Sequence, residues 1–97
     1  MSLERITARL EARKAELAGL NARVLFDLGE DGTIAVDATA APPVIGRGTA
    51  EPDCTIRLSA ENMAKLIEGA LNPTLAYSLG KLKVEGSMGI AMKLAAL

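Results

Sequence analysis

The sequence predicts an α/β fold of the α+β type, in which five short strands are accompanied by amphipathic helices. Three observations predict it. In several short runs apolar residues alternate with polar ones, which is the period of a half-buried strand. Elsewhere apolar residues recur every three or four positions, the period of a helix with one buried face. Gly, Pro, Asn and Ser stand between these runs, where turns and helix caps need them. At 97 residues the chain is expected to form one domain, 1–97.

The first element is predicted to be a single amphipathic helix that is capped by Ser2 and ends near Gly19. Charged residues fill the positions between its apolar ones. The apolar residues recur at steps of three, four and seven: Leu3, Ile6, Leu10, Leu17 and Leu20. A helix of this kind covers one face of another element.

The strands are predicted over 24–28, 34–38, 44–48, 54–58 and 81–85. The first two flank a Gly/Asp turn at 29–32, which indicates an antiparallel hairpin. The third follows two prolines and is predicted to lie at a sheet edge, where such neighbours are tolerated.

Three further helices are predicted, each from its capping residue. Ser59 opens a helix whose buried stripe includes Met63 and Ile67. Asn72 and Pro73 open a short helix, because Pro suits the first helical position after an Asn cap. The residues expected on its buried side are Leu75, Ala76 and Leu79.

The last helix is predicted to begin after Ser87 and is unusual. Its only charged residue is Lys93, so it is apolar nearly all round. Its large apolar residues are Met88, Ile90, Met92 and Leu94. Such a helix is either enclosed on several sides or turns one apolar side to a ligand, a partner or a membrane.

Composition excludes several classes of function. A net charge of −1 gives no basic excess for phosphate binding, so no nucleic-acid partner is expected. The chain has no His and one Cys, Cys54, so no Cys–His pair can form and acid–base catalysis is not expected. We therefore expect a protein that is not an enzyme and needs no cofactor or metal. A lone Cys and an N-terminus without an apolar secretion segment favour a cytoplasmic location.

The last third of the chain resembles the sterol carrier protein 2 family of small lipid-carrier domains, in particular the small stand-alone bacterial type. The resemblance covers about 45 residues. It is carried by Asp53-Cys54-Thr55, Gly69 to Pro73, Ala76-Tyr77, Gly80-Lys81-Leu82-Lys83-Val84-Glu85-Gly86 and Met88-Gly89-Ile90-Ala91-Met92-Lys93-Leu94. It implies a five-stranded mixed sheet with helices covering one face and a hydrophobic tunnel between them.

The resemblance also implies a function, which is the binding and intracellular transfer of sterols, fatty acids, acyl-CoA esters or phospholipids without catalysis. The residues expected to line the lipid cavity are Phe26, Met63, Ile67, Leu75, Leu79, Leu82, Val84, Met88, Ile90, Ala91 and Met92. Ile90→Glu or Met92→Glu is accordingly expected to weaken lipid binding far more than it lowers the stability of the fold.

Other functions stay open at this stage. One is an accessory protein that holds isoprenoid or quinone intermediates; another is an interaction module that uses the apolar C-terminal helix. Lys81, Lys83 and Lys93 form a small basic excess that could bring the domain into transient contact with a membrane surface, although scattered surface lysines are the commoner explanation of such an excess. A monomer or a weak homodimer is expected.

Overall fold

The computed structural model describes residues 3–48 and 51–95, and it confirms an α+β fold built on a five-stranded mixed sheet. The strands are β1 (Arg23–Asp27), β2 (Thr33–Asp37), β3 (Val44–Gly46), β4 (Cys54–Leu58) and β5 (Leu82–Gly86). They lie in the order β3-β2-β1-β4-β5. β1 is parallel to β4, and the other neighbouring pairs are antiparallel.

The helices are α1 (Leu3–Glu11), α2 (Lys14–Leu17), α3 (Ala60–Ile67), α4 (Pro73–Ser78) and α5 (Met88–Ala95). Short 3-10 turns occupy Ala18–Leu20 and Gly29–Asp31. The caps predicted at Ser59, Asn72 and Ser87 are confirmed, and the cap predicted at Ser2 lies outside the described residues. The Oγ of Ser59 accepts a hydrogen bond from the Asn62 amide at 3.0 Å, and the Oδ1 of Asn72 accepts one from the Thr74 amide at 2.9 Å. The Oγ of Ser87 accepts from the Ile90 amide at 3.3 Å.

The single N-terminal helix predicted from the sequence is wrong, since the chain turns between α1 and α2. A straight helix would bring positions 13 and 14 onto the face of Ile6 and Leu10, and these positions are Arg13 and Lys14. By turning there, the chain keeps both charges out of the core and still buries Leu17. The sequence signal of this break was the pair of charged residues, Arg13 and Lys14, on the apolar face.

The helices cover one face of the sheet. On that face the strands contribute buried apolar side chains, and Ile6, Leu10 and Met63 of the helices pack against them. The buried strand residues are Val24, Phe26, Ile34, Val36, Cys54, Ile56, Leu58 and Leu82.

The opposite face carries ion pairs between neighbouring strands. Arg57 lies 3.4 Å from the carboxylate of Asp27 and 2.8 Å from that of Glu85, and Arg23 lies 3.5 Å from that of Asp37. Charged pairs of this kind suit a face in contact with water.

Candidate functional site: an apolar cavity between sheet and helices

A cavity of about 820 Å³ lies between the covered face of the sheet and the helices. Its floor is formed by Phe26 of β1, Ile56 of β4, and Leu82 and Val84 of β5. α3 contributes Met63, which is 3% exposed, together with Leu66 and Ile67. The volume falls within the range of about 300–1,000 Å³ that is usual for small-molecule sites.

Helix α5 forms one wall of the cavity. The five residues of this helix that line the cavity are Met88, Ala91, Met92, Leu94 and Ala95. Met88 is 44% exposed and Met92 is 69% exposed, so both lie where the cavity opens to solvent. We call this opening the mouth. A methionine suits this position because its unbranched thioether side chain adapts to ligands of different shape.

The position of α5 is set by the residues just before it. Gly86 ends β5 with φ +89°, and a Cβ there would lie 2.5 Å from the carbonyl oxygen of Asp53. The amide of Ser87 donates a hydrogen bond to that same oxygen at 2.8 Å. Only glycine allows this close approach together with this backbone conformation. The Gly-Ser pair in the sequence therefore directs α5 back over β4 and β5, against which it packs.

Of the residues predicted to line a cavity, the structure brings eight together on its wall. They are Phe26, Met63, Ile67, Leu82, Val84, Met88, Ala91 and Met92. These residues come from β1, α3, β5 and α5, so elements distant in sequence share one apolar space.

The other three predicted lining residues, Leu75, Leu79 and Ile90, lie outside the cavity wall. Leu75 and Leu79 are 54% and 60% exposed, because α4 turns Pro73, Thr74 and Tyr77 toward the cavity and only Ala76 into the core. Residues two positions apart in an α-helix point in nearly opposite directions. Leu75 and Leu79, each two positions from Tyr77, therefore lie on the side of α4 away from it. The predicted buried side of α4 is thus wrong for both leucines.

Ile90 also lies outside the cavity wall. It packs against the core, whereas Leu94, one turn further along α5, lines the cavity. Because α5 is apolar nearly all round, its sequence does not indicate which side faces the cavity, and the family resemblance alone assigned Ile90 to it.

The prediction missed the polar side of the cavity. Arg13 and Glu16 line it from the α1–α2 region, and Glu68, Asn72 and Thr74 line it from α3, α4 and their connection. The guanidinium Nε of Arg13 lies 3.5 Å from Glu16 Oε2. Glu68 Oε1 lies 3.7 Å from Arg9 Nη2 of α1. We call these four charged residues, Arg9, Arg13, Glu16 and Glu68, the charged rim.

The chain has a single thiol, that of Cys54. Cys54 is fully buried in β4 and does not line the cavity. Burial raises the pKa of its thiol, and the nearby charge of Asp53 raises it further, so the thiolate is disfavoured. Residues 3–48 and 51–95 hold no cluster of His, Cys, Asp and Glu side chains suited to a metal ion. Nor is any helix in these two ranges both long and apolar enough to cross a bilayer.

Comparison with known proteins assigns the family. Residues 3–97 match the model of the SCP-2 sterol transfer family. The chain belongs to this family. SCP-2 domains are lipid-binding and lipid-transfer domains and are in general not catalytic, although some relatives carry the domain within multifunctional enzymes.

Two curated relatives and one solved structure illustrate the likeness. Sterol carrier protein 2 of Bos taurus is 37% identical over 67 residues, which cover 68% of this chain and 12% of the bovine protein. Peroxisomal multifunctional enzyme A of Dictyostelium discoideum is 44% identical over 54 residues, or 56% of this chain and 12% of that enzyme. The part of this chain that matches thus spans only about an eighth of the length of these two proteins.

The solved structure is the sterol carrier protein domain 2 of Helicoverpa armigera. It superimposes with a TM-score of 0.80 at 27% sequence identity, covering 96% of this chain and 81% of the insect domain. The five-stranded SCP-2 fold described above is therefore shared with a solved relative along nearly the whole chain.

Proposed function

We propose that this chain binds the apolar part of a lipid in the cavity between its sheet and helices and carries it without catalysis. The observation that carries the proposal is the cavity itself. It has about 820 Å³ of space in a 97-residue domain, and apolar side chains from the sheet, α3 and α5 line it. The chain's membership of the SCP-2 sterol transfer family supports the same function.

The energetics support a useful affinity. Each buried methylene contributes about 0.8 kcal/mol, so about fourteen methylenes of a palmitoyl chain contribute roughly 11 kcal/mol. The loss of the lipid's translational and rotational freedom costs at least about 4 kcal/mol. The net binding free energy is then roughly 7 kcal/mol, which corresponds to a Kd in the micromolar range. Affinity of that order allows both capture and release.

Release is proposed to occur through the mouth, during transient contact with a membrane surface. Met88 and Met92 border the mouth and are exposed, and Lys93 is exposed on the same helix. Apolar side chains that enter a bilayer and a lysine near anionic head groups both favour such contact. The proposed setting is the cytoplasm.

The test is native mass spectrometry of the purified protein with added palmitate or cholesterol, on the wild type and two variants. Ala91→Phe places a ring on the cavity wall, and Ala8→Phe makes the same change at an exposed position of α1 that does not line the cavity. We expect a one-to-one lipid adduct for the wild type and Ala8→Phe, and a strongly reduced adduct for Ala91→Phe.

Two outcomes would overturn the proposal. If Ala91→Phe and Ala8→Phe take up lipid equally, the cavity is not the binding site. If the wild type takes up neither lipid and its mass rises with concentration to that of a dimer, an interaction module becomes the better account. Circular dichroism of both variants serves as the control for folding.

A further inference from the structure

The exposed apolar side chains are concentrated near the β5 edge of the sheet. Among the described residues, six large apolar side chains are exposed, and five of them lie on α4, directly after α4, or on α5. These five are Leu75, Tyr77, Leu79, Met88 and Met92. The sixth, Val44, lies on β3, at the opposite edge of the sheet from β5, against which α4 and α5 pack. We call the group of five the α4–α5 surface.

The two leucines of this surface are not explained by the cavity. Leu75 and Leu79 are 54% and 60% exposed, and neither lines the cavity. They stand four residues apart, so they lie together on the outer side of α4. Apolar side chains grouped on one surface, unlike single ones, mark a place of contact with a partner or a membrane.

The charge of the chain is divided unequally between two regions. Residues 69–97 contain three lysines and a single carboxylate, that of Glu85, whereas residues 1–68 contain eight basic and eleven acidic residues. Glu85 accepts a hydrogen bond from Arg57 at 2.8 Å on the face of the sheet that carries the ion pairs. The α4–α5 surface therefore lies in a region whose side chains carry a net charge of +2, on a chain whose net charge is −1.

Two of the three lysines flank the α4–α5 surface. Lys81 is exposed, and its amide donates a hydrogen bond to the carbonyl oxygen of Ala76 at 2.8 Å, which holds it at the C-terminal end of α4. Lys93 is exposed on α5, directly after one of the two methionines of the mouth. Lysines beside exposed apolar side chains are typical of surfaces that meet anionic lipid head groups.

We propose that the α4–α5 surface docks on a bilayer that contains anionic phospholipids, with Leu75 and Leu79 entering the boundary between head groups and acyl chains and Lys81 and Lys93 lying among the head groups. This inference rests on the proposed function, since it adds to it a specific route by which lipid reaches the cavity. It makes α4, together with the mouth, the part of the domain that holds it on the membrane.

Charge decides between a bilayer and a second copy of this chain as the occupant. A symmetric contact between two copies would bring the same lysines together, and like charges across an interface repel. An anionic head-group layer attracts them instead, and each lysine close to it strengthens binding about fivefold. The leucines add the transfer of apolar area out of water. Docking in this way also sets the mouth against the bilayer, because Met88 and Met92 belong to the same surface.

The test is co-sedimentation of the protein at low salt with two kinds of vesicle, one of phosphatidylcholine alone and one of equal parts phosphatidylcholine and phosphatidylglycerol. We expect the wild type to bind the mixed vesicles at least about tenfold more tightly, and to lose this preference in concentrated salt. Leu75→Ser/Leu79→Ser should weaken binding to the mixed vesicles at least about tenfold. Lys81→Gln/Lys93→Gln should weaken it about ten- to thirtyfold and change binding to the neutral vesicles less than about twofold.

Matched controls separate this surface from the rest of the protein. Val44→Ser removes a side chain that is 58% exposed, close to the 60% of Leu79, and it should change vesicle binding less than about twofold, unlike Leu79→Ser. Lys83→Gln/Arg47→Gln removes two positive charges elsewhere. Lys83 alternates with the two β5 residues of the cavity floor and so lies on the opposite face of the sheet, and Arg47 follows β3. This variant should change binding to the mixed vesicles less than about threefold.

The outcomes distinguish this inference from the proposed function. Leu75→Ser/Leu79→Ser leaves the cavity wall intact, so this variant should still form the one-to-one palmitate adduct in native mass spectrometry. If it binds mixed vesicles as the wild type does, or if the wild type binds both kinds of vesicle equally, docking by this surface is overturned while lipid uptake stands. If the wild type binds no vesicles and forms a dimer that the leucine variant abolishes, the surface is an interface between copies and the inference fails. Loss of the palmitate adduct in the wild type, with vesicle binding intact, overturns the proposed function alone.

Discussion

The carbonyl oxygen of Asp53 accepts a hydrogen bond from the amide of Ser87 at 2.8 Å, and this contact links the start of β4 to the start of α5. Asp53 is tied to β1 as well. Its amide donates to the carbonyl oxygen of Arg23 at 2.8 Å, and its carboxylate accepts from the Arg23 amide at 2.9 Å. One residue outside any regular element thus joins two strands to the helix that forms a cavity wall.

The first prediction concerns Gly86, which lies against Asp53. Gly86→Ala forces a Cβ to within 2.5 Å of the Asp53 carbonyl oxygen at a φ of +89°. We expect a loss of about 1–3 kcal/mol in the free energy of unfolding. Urea denaturation measures it. Gly89→Ala is the control, because a Cβ there meets only the Ser87 Oγ at 3.7 Å, and it should leave stability unchanged or raise it by about 0.5–1 kcal/mol.

The second prediction concerns Met92, at the mouth. Met92→Glu places a charge beside a bound lipid but exposes it to water in the free protein, since Met92 is 69% exposed. Lipid affinity should fall at least about tenfold, while stability changes by less than about 0.5 kcal/mol. Leu79→Glu makes a comparable change at an exposed position outside the cavity and should leave affinity unchanged. Equal losses for the two variants, measured by probe displacement, would contradict this view of the mouth.

The third prediction separates Ile90 from Met92, although the two residues look alike in sequence. Ile90 packs against the core rather than the cavity, so Ile90→Glu buries part of a charge among apolar side chains. We expect it to lower the free energy of unfolding by about 1–3 kcal/mol, and to reduce lipid binding only as far as the folded fraction falls. A stable variant with impaired binding would place Ile90 in the site after all.

The fourth prediction concerns the thiol of Cys54. Burial and the charge of Asp53 raise its pKa, so a smaller fraction is thiolate at mildly alkaline pH than for an ordinary cysteine. Because the thiolate is the reactive form, the folded protein should react slowly with a disulfide reagent, at a rate set by unfolding. In concentrated urea the same thiol should react at once. Rapid reaction of the folded protein would contradict the burial of β4.

The fifth prediction concerns pH and Asp37. Its pKa is lowered from the model-compound value of 3.8, first by the hydrogen bond from the Thr39 hydroxyl, then by that from the Thr39 amide, with Arg23 adding to the effect. Because the pKa of Asp37 is lower in the folded state, its carboxylate stabilises the fold at pH values above 3.8. This contribution is lost as the pH falls through the pKa of the folded state. Asp37→Asn should therefore destabilise the protein at neutral pH and much less in strong acid, as measured by denaturation at both conditions.

Much of the fold was predictable because its signals are local. Ser59, Asn72 and Ser87 each cap the helix that the sequence assigned to them, and the alternation of apolar residues located four of the five strands. The third strand was predicted from its place after two prolines. The break after α1 was missed, since it depends on where the core lies and not on helix propensity alone.

The cavity was predictable in part. The family resemblance placed Phe26, Met63 and Met92 on its wall, and all three line it. Leu75 and Leu79 were misplaced, since the rotation of α4 about its axis is set by packing against β5 and by the Asn72 cap. The charged rim gave no signal, because Arg13 and Glu68 lie in different helical regions and look like ordinary surface charges in the sequence.

The place of α5 in the chain also bears on biosynthesis. It follows every other described element, yet it supplies one wall of the cavity. Until it leaves the ribosome, the floor made by Phe26, Ile56 and Leu82 has no cover on that side, and the nascent chain presents an apolar surface. The cavity is therefore completed last, when the Asp53–Ser87 contact forms, and a chaperone that recognises apolar surface would dissociate only after the final helix has been synthesised.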